Sequence, residues 1–234
     1  LTESRISEGE KWINGAATGI DWTNVKTSNG NATGTMVRDA EFHYDDSIAV
    51  LKGSWGPDQE VEAVVYSANQ TGWGASGWDG NEYGDCNHEV ELHLRGTIKA
   101  NSITTYEINF SSRRDETAYS EIVRWNGERG SEDPSGQTGY TYLSQKHGQQ
   151  YGVKNGDIVK ATIVGNTINV YKNGVLINTA TDSRYTTGSP GIGFYTSIGC
   201  IPSNHNDDFG FTSFTAKTTD IRIPSSPSNI SIGQ

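Results

Sequence analysis

Apolar and polar residues alternate along most of this chain from Ala40 onward, and this alternation is the feature that most constrains the fold. A period of two is typical of β-strands that bury one face, and no window has the apolar spacing of an amphipathic helix. The alternation predicts ten strands, at residues 41–51, 60–67, 88–95, 103–111, 119–125, 158–164, 167–172, 175–181, 191–197 and 210–216. Ten such strands predict an all-β fold in which two antiparallel sheets pack as a β-sandwich.

Two tight turns set the register of the C-terminal half. Gly165-Asn166 separates two alternating runs, and Asn173-Gly174 is the dipeptide that type I′ turns prefer, because both central residues need a positive φ. The 28 glycines of the chain also suit many short strands joined by tight turns. We therefore expect consecutive hairpins over residues 158–181.

One domain accounts for most of the 234 residues, because β-sandwiches of this size commonly form a single domain. We expect this domain to span residues 1–217. Six Trp, eleven Tyr and six Phe residues supply large apolar faces for its core. Residues 218–234 are rich in Ser and Pro, so we expect them to form an extended linker or an arm.

The net charge of −10 limits the possible partners. Binding to nucleic acid needs a basic surface, so we expect no nucleic-acid partner and no attraction to an anionic membrane. No stretch approaches the roughly 18 apolar residues of a membrane span, which predicts no membrane insertion. The sequence leaves the oligomeric state open.

Cys86 and Cys200 are the only cysteines of the chain. Two cysteines in a glycine-rich chain of extracellular type most often form one disulfide, and two unpaired thiols are the alternative. The N-terminus lacks a signal-peptide pattern, so a targeting segment either has been removed or was never present. We expect a secreted, extracellular protein.

The segment 88–95, His-Glu-Val-Glu-Leu-His-Leu-Arg, carries most of the predicted chemistry. Alternation directs Val90, Leu92 and Leu94 into the core. The opposite face then carries four ionisable residues, Glu89, Glu91, His93 and Arg95. On the following strand the same rule turns Glu107 and Asn109 to this side, and hairpin pairing places Glu107 near the row. We call these six residues the charged face.

Four interpretations of the charged face remain open. Glu89 and Glu91 lie about 6.5 to 7 Å apart at the backbone, within the range for the two carboxylates of a glycoside hydrolase. His93 or a nearby Tyr could instead remove the proton beside a uronic acid carboxylate that Arg95 neutralises, as in a polysaccharide lyase. The face could also bind neutral sugars without a reaction, with rings stacked on the sugar, or it could be a solvent-exposed sheet face.

Candidate substrate-binding residues flank the charged face. Tyr195 is expected to point outward on a late strand. Alternation in 119–127 does not decide whether Glu121 or Arg124 lies on the side of the charged face. Two long connections, 69–87 and 126–151, contain the aromatic residues of a typical binding loop, although such rings could equally cap the sheet edges. The candidate substrate-binding residues are Glu107, Asn109, Tyr195, Arg124 and Trp78.

Two loops are rich in oxygen ligands. One contains Asp79, Asn81, Glu82 and Asp85, and the other contains Asn204, Asn206, Asp207 and Asp208. Calcium accepts carboxylate and amide oxygens in irregular geometry, so a structural Ca²⁺ ion is the predicted cofactor, with Asp207 and Asp208 as ligands; a solvated turn is the alternative. The five histidines show no spacing typical of a zinc site.

Three segments resemble the concanavalin A-like lectin/glucanase superfamily, in particular its laminin-G-like secreted members. They are 157–166 (Asp-Ile-Val-Lys-Ala-Thr-Ile-Val-Gly-Asn), 171–175 (Tyr-Lys-Asn-Gly-Val) and 188–194 (Gly-Ser-Pro-Gly-Ile-Gly-Phe). The resemblance spans about residues 7–216 and implies a jelly roll. Hydrolases of that superfamily carry a Glu-X-Asp-X-(X)-Glu strand, to which Glu89-Val90-Glu91-Leu92-His93 is similar, and alginate lyases alternate Arg, Glu and Arg where this chain has Glu91, His93 and Arg95.

These observations predict a polysaccharide partner. The main hypothesis is an endo-acting carbohydrate-active enzyme, a glycoside hydrolase or a polysaccharide lyase, whose catalytic residues are Glu89, Glu91, His93 and Arg95. A non-catalytic glycan-binding module is the second hypothesis. The third is a structural or adhesive extracellular protein that assembles through its C-terminal arm.

Overall fold

The computed structural model describes residues 2–17, 22–36, 46–68, 88–100, 102–113, 115–127, 139–196 and 205–218. These residues form fourteen β-strands and a few single 3₁₀ turns. The strands are β1 (Trp12–Asn14), β2 (Lys26–Ser28), β3 (Asn31–Thr33), β4 (Ser47–Leu51), β5 (Gln59–Ser67), β6 (His88–Lys99), β7 (Ser102–Ser111), β8 (Tyr119–Gly127), β9 (Tyr140–His147), β10 (Ile158–Val164), β11 (Thr167–Lys172), β12 (Val175–Thr181), β13 (Ser189–Thr196) and β14 (Phe209–Thr218).

The strands form two seven-stranded antiparallel sheets. We call the sheet with strand order β1-β4-β13-β6-β7-β8-β9 the front sheet, and the sheet with order β12-β11-β10-β5-β14-β3-β2 the back sheet. The main core lies between them, with Leu92 and Ile108 contributed by the front sheet and Val61 and Ala161 by the back sheet. The predicted all-β sandwich is therefore confirmed.

The predicted hairpins are present in the back sheet. The bounds of β10, β11 and β12 agree with the prediction. Asn173 and Gly174 adopt φ values of 51° and 80° between β11 and β12, and these left-handed values explain why an Asn-Gly pair stands there. The other turn joins β10 to β11, where Val164 pairs with Thr167.

The alternation failed to predict four strands. Three of them, β1, β2 and β3, have only three residues each, too few to show a period. The fourth, β9, lies within 126–151, which we predicted to be a connection, and this prediction was wrong. β9 is an edge strand with no fully buried residue, so its sequence carries no apolar alternation.

A second apolar cluster covers part of the outer face of the front sheet. It consists of Trp22, Ile48, Val50, Ile103, Val123 and Trp125, with Ile13, Ile98 and Tyr140 packed against it. The rings of Trp22 and Trp125 meet edge to face with centroids 4.7 Å apart. Because of this cover, the front sheet has buried residues on both faces. Among the described residues, no helix is long and apolar enough to cross a membrane.

Candidate functional site

The outer face of the front sheet holds a cavity of about 650 Å³. Six acidic residues line it, namely Asp46, Glu89, Glu91, Glu107, Glu116 and Glu121. Five aromatic residues line it as well, namely Tyr119, Trp125, Tyr140, Tyr142 and Tyr195. The remaining lining residues are Asn109, Thr117, Val123 and His147. We call this space the acidic cavity.

Neighbouring strands of the front sheet supply most of the lining. Register pairs Glu91 of β6 with Asn109 of β7, and pairs Asn109 in turn with Glu121 of β8. Tyr195 of β13 pairs with Glu89 on the other side of β6. The placement of these five side chains around one cavity follows from the alternation of strand side chains. Their functional roles stay predictions.

Hydrogen bonds hold three of the carboxylates in the acidic cavity. The Tyr119 hydroxyl donates to Glu89 Oε1. Trp125 Nε1 donates to Glu107 Oε2 at 2.7 Å, and Gln145 Nε2 donates to Glu121 Oε1 at 2.8 Å. Because each donor comes from a strand neighbouring or near that of the acid, the sheet itself fixes where these carboxylates point.

Burial shifts the pKa values of these acids upward. The pKa of Glu91 lies well above its usual range because of burial and because Glu107, Asp46 and Glu89 repel its charged form. Burial also raises the pKa of Glu107 to about 7, and it raises the pKa of Glu121. Removal from water favours the neutral form of a carboxyl group. Part of the acidic cavity is therefore uncharged near neutral pH.

His93 lies beneath the cavity rather than in its lining. Its side chain has no exposed surface, and its Nε2 lies 3.4 Å from Glu91 Oε2. On the other side of the ring, Nδ1 lies 3.4 Å from Thr105 Oγ1. Burial lowers the pKa of His93 to about 3, so the imidazole is neutral. The expected position of His93 on an open face is therefore wrong.

Arg95 does not lie on the charged face, which corrects its predicted placement. The pairing of β6 with β7 shifts register between Leu94 and Thr97, and Arg95 adopts φ 51° within this β-bulge. Its guanidinium points between the sheets and donates to the backbone oxygens of Pro57, Tyr185 and Gly165 at 2.6 to 2.7 Å. The side chain is 1% exposed. It holds loops of the sandwich together and is absent from the cavity lining.

Arg124 also lies away from the acidic cavity. Its neighbours on β8, Val123 and Trp125, face the cavity, and Arg124 therefore projects to the opposite side. There Nη1 lies 2.5 Å from Asp182 Oδ2, and Nε donates to Asn126 at 3.0 Å. The two candidate arginines are thus structural, and among the described residues no Lys or Arg lines the cavity. The lyase interpretation required Arg95 to neutralise a uronic acid carboxylate, and Arg95 does not reach the cavity.

The predicted calcium ligands are engaged with protein groups. Asp207 Oδ1 lies 2.7 Å from Lys26 Nζ, and the Asn206 side chain bonds the backbone of Met36 in both directions. The backbone oxygen of Asp208 accepts from Ala68 N. Asp207 is thus already paired with an ammonium group, and the structure lends this predicted calcium site no support.

Several predicted residues lie outside the described part of the chain. They are Trp78, Cys86, Cys200, Asn204 and the acidic loop 79–85. The disulfide between Cys86 and Cys200 and the contact of Trp78 with a sugar stay predictions. The same holds for the arm after Thr218.

Sequence reasoning missed most of the aromatic lining. Tyr140 and Tyr142 belong to the segment 126–151, which the sequence predicted to be a connection, whereas β9 carries them along the cavity edge. Tyr119 and Trp125 share the face of Glu121 because β8 alternates cleanly, with Ile122 in the main core. The signal that could have found them is the pair Tyr119 and Trp125 at even spacing from Glu121.

Comparisons with known proteins identify the fold. No protein-family model and no curated protein matches the chain. The carbohydrate-binding module CBM66 from Bacillus subtilis is similar with a TM-score of 0.56 and 15% identity, over 92% of this chain and 99% of that chain. The protein BuGH16Bwt is similar with a TM-score of 0.52 and 9% identity, over 93% of this chain and 88% of that chain. The carbohydrate recognition domain of Emp46p in a potassium-bound form is similar with a TM-score of 0.51 and 11% identity, over 88% of each chain. The chain has the concanavalin A-like jelly-roll fold that the sequence predicted.

Proposed function

We propose that the acidic cavity binds a neutral oligosaccharide segment of a polysaccharide. The observation that carries this proposal is the joint lining of one cavity of about 650 Å³ by carboxyl groups and aromatic rings. That volume is within the range of known ligand pockets, about 300 to 1,000 Å³. Rings bind the apolar faces of a sugar, and carboxyl groups accept hydrogen bonds from its hydroxyls.

The charge of the lining favours a neutral sugar over an anionic one. Six acidic side chains surround the space, and His147 is the sole basic residue among the described lining residues. A uronic acid or a sulfated sugar would meet like charges there, with no Lys or Arg among the described lining residues to compensate them. We therefore expect neutral polysaccharides to bind and uronic polysaccharides not to bind.

The names of two similar structures support a glycan partner. One is called a carbohydrate-binding module and another a carbohydrate recognition domain. At 15% and 11% identity they share the fold with this chain, and the acidic cavity itself is the basis for the extension to sugars. Because polysaccharides are abundant outside cells, we also propose that the protein acts there as a secreted protein.

Hydrolysis of the bound glycan is a second candidate function. Glu89 and Glu91 belong to the same cavity, and their backbones are about 6.5 to 7 Å apart by the strand rise. The raised pKa of Glu91 favours the protonated carboxyl group that a general acid requires. The Tyr119 hydroxyl supports Glu89 as the partner carboxylate. Two carboxyl groups in different environments are the requirement for glycoside hydrolysis.

The test is to titrate the purified chain with matched neutral and uronic oligosaccharides and to measure binding by calorimetry. Tyr142 is 40% exposed at the cavity edge, so Tyr142→Ala should weaken binding about 10-fold. Tyr171→Ala on the back sheet is the matched control and should leave binding unchanged. Binding of uronic but not neutral sugars, or equal loss in both variants, would overturn the proposal.

The same samples report on catalysis. Reducing ends released from a neutral polysaccharide and lost in Glu91→Gln would establish the hydrolase. Glu62→Gln, which changes a half-buried glutamate of the back sheet, serves as its control. Binding without release of reducing ends would establish the binding module.

A further inference from the structure

Three potential metal ligands converge under the acidic cavity. Glu91, His93 and Glu107 each offer a ligand atom, and these atoms lie within 4.8 Å of one another. The three residues are 1%, 0% and 3% exposed. Glu91 and His93 lie two residues apart on β6, and Glu107 pairs with His93 across the β6–β7 ladder. The sheet therefore brings the three ligands to one point.

Two atoms of this cluster lack hydrogen-bond partners. Glu91 Oε2 and His93 Nε2 are fully buried, and neither has a hydrogen-bond partner among the described residues. They face each other at 3.4 Å. A buried polar atom without a partner costs free energy, and native structures rarely contain two such atoms side by side. A ligand between them would satisfy both.

The absence of a side chain at Gly193 of β13 makes room for these two atoms. It pairs directly with Glu91 in the sheet. A Cβ at this position would lie 2.2 Å from Glu91 Oε2 and 2.5 Å from His93 Nε2, far inside van der Waals contact. Even alanine would force these two atoms to move. Glycine here has an ordinary negative φ, so its role is space rather than backbone freedom.

The surroundings favour a cation. Glu107, Asp46 and Glu89 are close enough to Glu91 to repel its negative charge, and no Lys or Arg is among the described lining residues. A group of acids in a site of low polarity is stable only when protons or a metal ion neutralise it. The presence of His93 favours a metal ion over protons, because its nitrogen can be a metal ligand, whereas protons alone would neutralise the acids without a histidine.

We propose that Glu91, His93 and Glu107 bind a divalent transition-metal ion, with Zn²⁺ the best fit. Ligand atoms 2.0 to 2.1 Å from a tetrahedral zinc ion lie about 3.3 to 3.4 Å apart. Glu91 Oε2 and His93 Nε2 are separated by 3.4 Å, which matches one edge of that tetrahedron. Glu91 and Glu107 also line the acidic cavity, so the fourth position of the ion opens to it.

Neighbouring groups would orient the ligands. Trp125 Nε1 donates to Glu107 Oε2 at 2.7 Å, and Thr105 Oγ1 lies 3.4 Å from the Nδ1 of His93. Such contacts hold ligands in place around a metal ion. The assignment is independent of a sugar ligand. With an ion bound, Glu91 is a ligand, so ion binding and the general-acid role of Glu91 exclude each other.

The experiment uses the full chain, stripped of metal with a chelator, and no glycan. Titration with ZnCl₂ in a calorimeter should show one tight site per chain, and Co²⁺ should give the intense visible absorption of tetrahedral coordination. Glu91→Gln and His93→Gln should each weaken Zn²⁺ binding at least ~100-fold, more than loss of an outer contact does. A wild-type chain that binds no Zn²⁺ would overturn the proposal.

Two further variants separate the site from general acidity and from misfolding. Gly193→Ala keeps every charge but adds a methyl group that overlaps two of the ligand atoms, and it should weaken Zn²⁺ binding as much as Glu91→Gln does. His147→Gln removes a histidine of the cavity lining and should leave Zn²⁺ affinity unchanged. Zinc affinity that is the same in folded Gly193→Ala, Glu91→Gln and wild type, or that is lost in His147→Gln alone, would contradict the assignment.

Discussion

Strands β5 and β6 share the triplet Glu-Val-Glu but place it in opposite surroundings. Residues 60–62 of β5 and residues 89–91 of β6 both read Glu-Val-Glu, and the central Val of each is buried in the core between the sheets. In β5 the glutamates are half-buried on the outer face, and Glu60 pairs with Lys217 at 2.9 Å. In β6 the glutamates are 7% and 1% exposed and line the acidic cavity.

The difference arises from what covers each sheet. The burial of β5 alternates residue by residue, as in a sheet with one face in water. The first nine residues of β6 are all buried, because the second apolar cluster and the rings around the cavity cover the outer face of the front sheet. Identical glutamates therefore act as solvated surface charges in one sheet and as a shielded acidic group in the other.

The largest effect should come from Arg95, whose side chain is buried at the end of the covered strand. Arg95→Met would leave three backbone oxygens without their donor and would remove the charge beside Asp58. We expect the free energy of unfolding to fall by about 3 to 5 kcal/mol, measured by urea denaturation. Arg184→Met, at an exposed position, is the control. A loss below about 1 kcal/mol would show that these hydrogen bonds contribute little.

A smaller and pH-dependent effect is expected for Glu121, whose pKa burial raises. A raised pKa in the folded state means that its stabilising contribution is present at acid pH and is lost as pH rises through the folded pKa. Glu121→Gln removes this loss, and its side-chain oxygen still accepts from Gln145. The variant should therefore gain stability relative to wild type as pH rises from 4 to 8, by thermal unfolding.

The control for that pH series is Glu62→Gln in β5, whose glutamate is half-buried on the wet face. The gain in stability between pH 4 and pH 8 should be larger in Glu121→Gln than in this control. Equal pH profiles for the two variants would mean that the acidic cavity and the wet face do not differ in their electrostatics.

The smallest effect is expected on the wet face itself. Lys217 is 65% exposed in its ion pair with Glu60. Exposed pairs of this kind often contribute nothing measurable to stability. Lys217→Met should therefore leave the free energy of unfolding unchanged within the error of chemical denaturation, and a clear loss would remove the contrast with Arg95.

Alternation predicted strands and side-chain directions correctly where one face of a strand is exposed to water or where the pairing of the strand is regular. It placed β10, β11 and β12 correctly, and it turned Glu89, Glu91 and Glu107 to one side. It failed at Arg95 because a β-bulge inserts one residue and reverses the sides from that point on. Such a bulge depends on the partner strand, which the local sequence of β6 does not describe.

The candidate site shows the same division. A position for Glu107 near the charged row of β6 was expected from the hairpin between β6 and β7. Its pairing with His93 and the cluster with Glu91 were not expected, because histidine spacing along the chain gives no sign of them. Gly193 comes from β13, about a hundred positions later, and only sheet pairing shows that its missing side chain makes room there.

The sequence by itself determined the class of the fold, the hairpins of the back sheet and the side of β6 and β7 that carries the acids, because these depend on a period of two and on turn chemistry within a few residues. The tertiary structure alone decided that the acids of β6 are buried while those of β5 are wet. Burial depends on the aromatic cover that distant segments supply. Removal from water raises the pKa values of the buried acids, and it leaves Glu91 Oε2 and His93 Nε2 without a hydrogen-bond partner among the described residues.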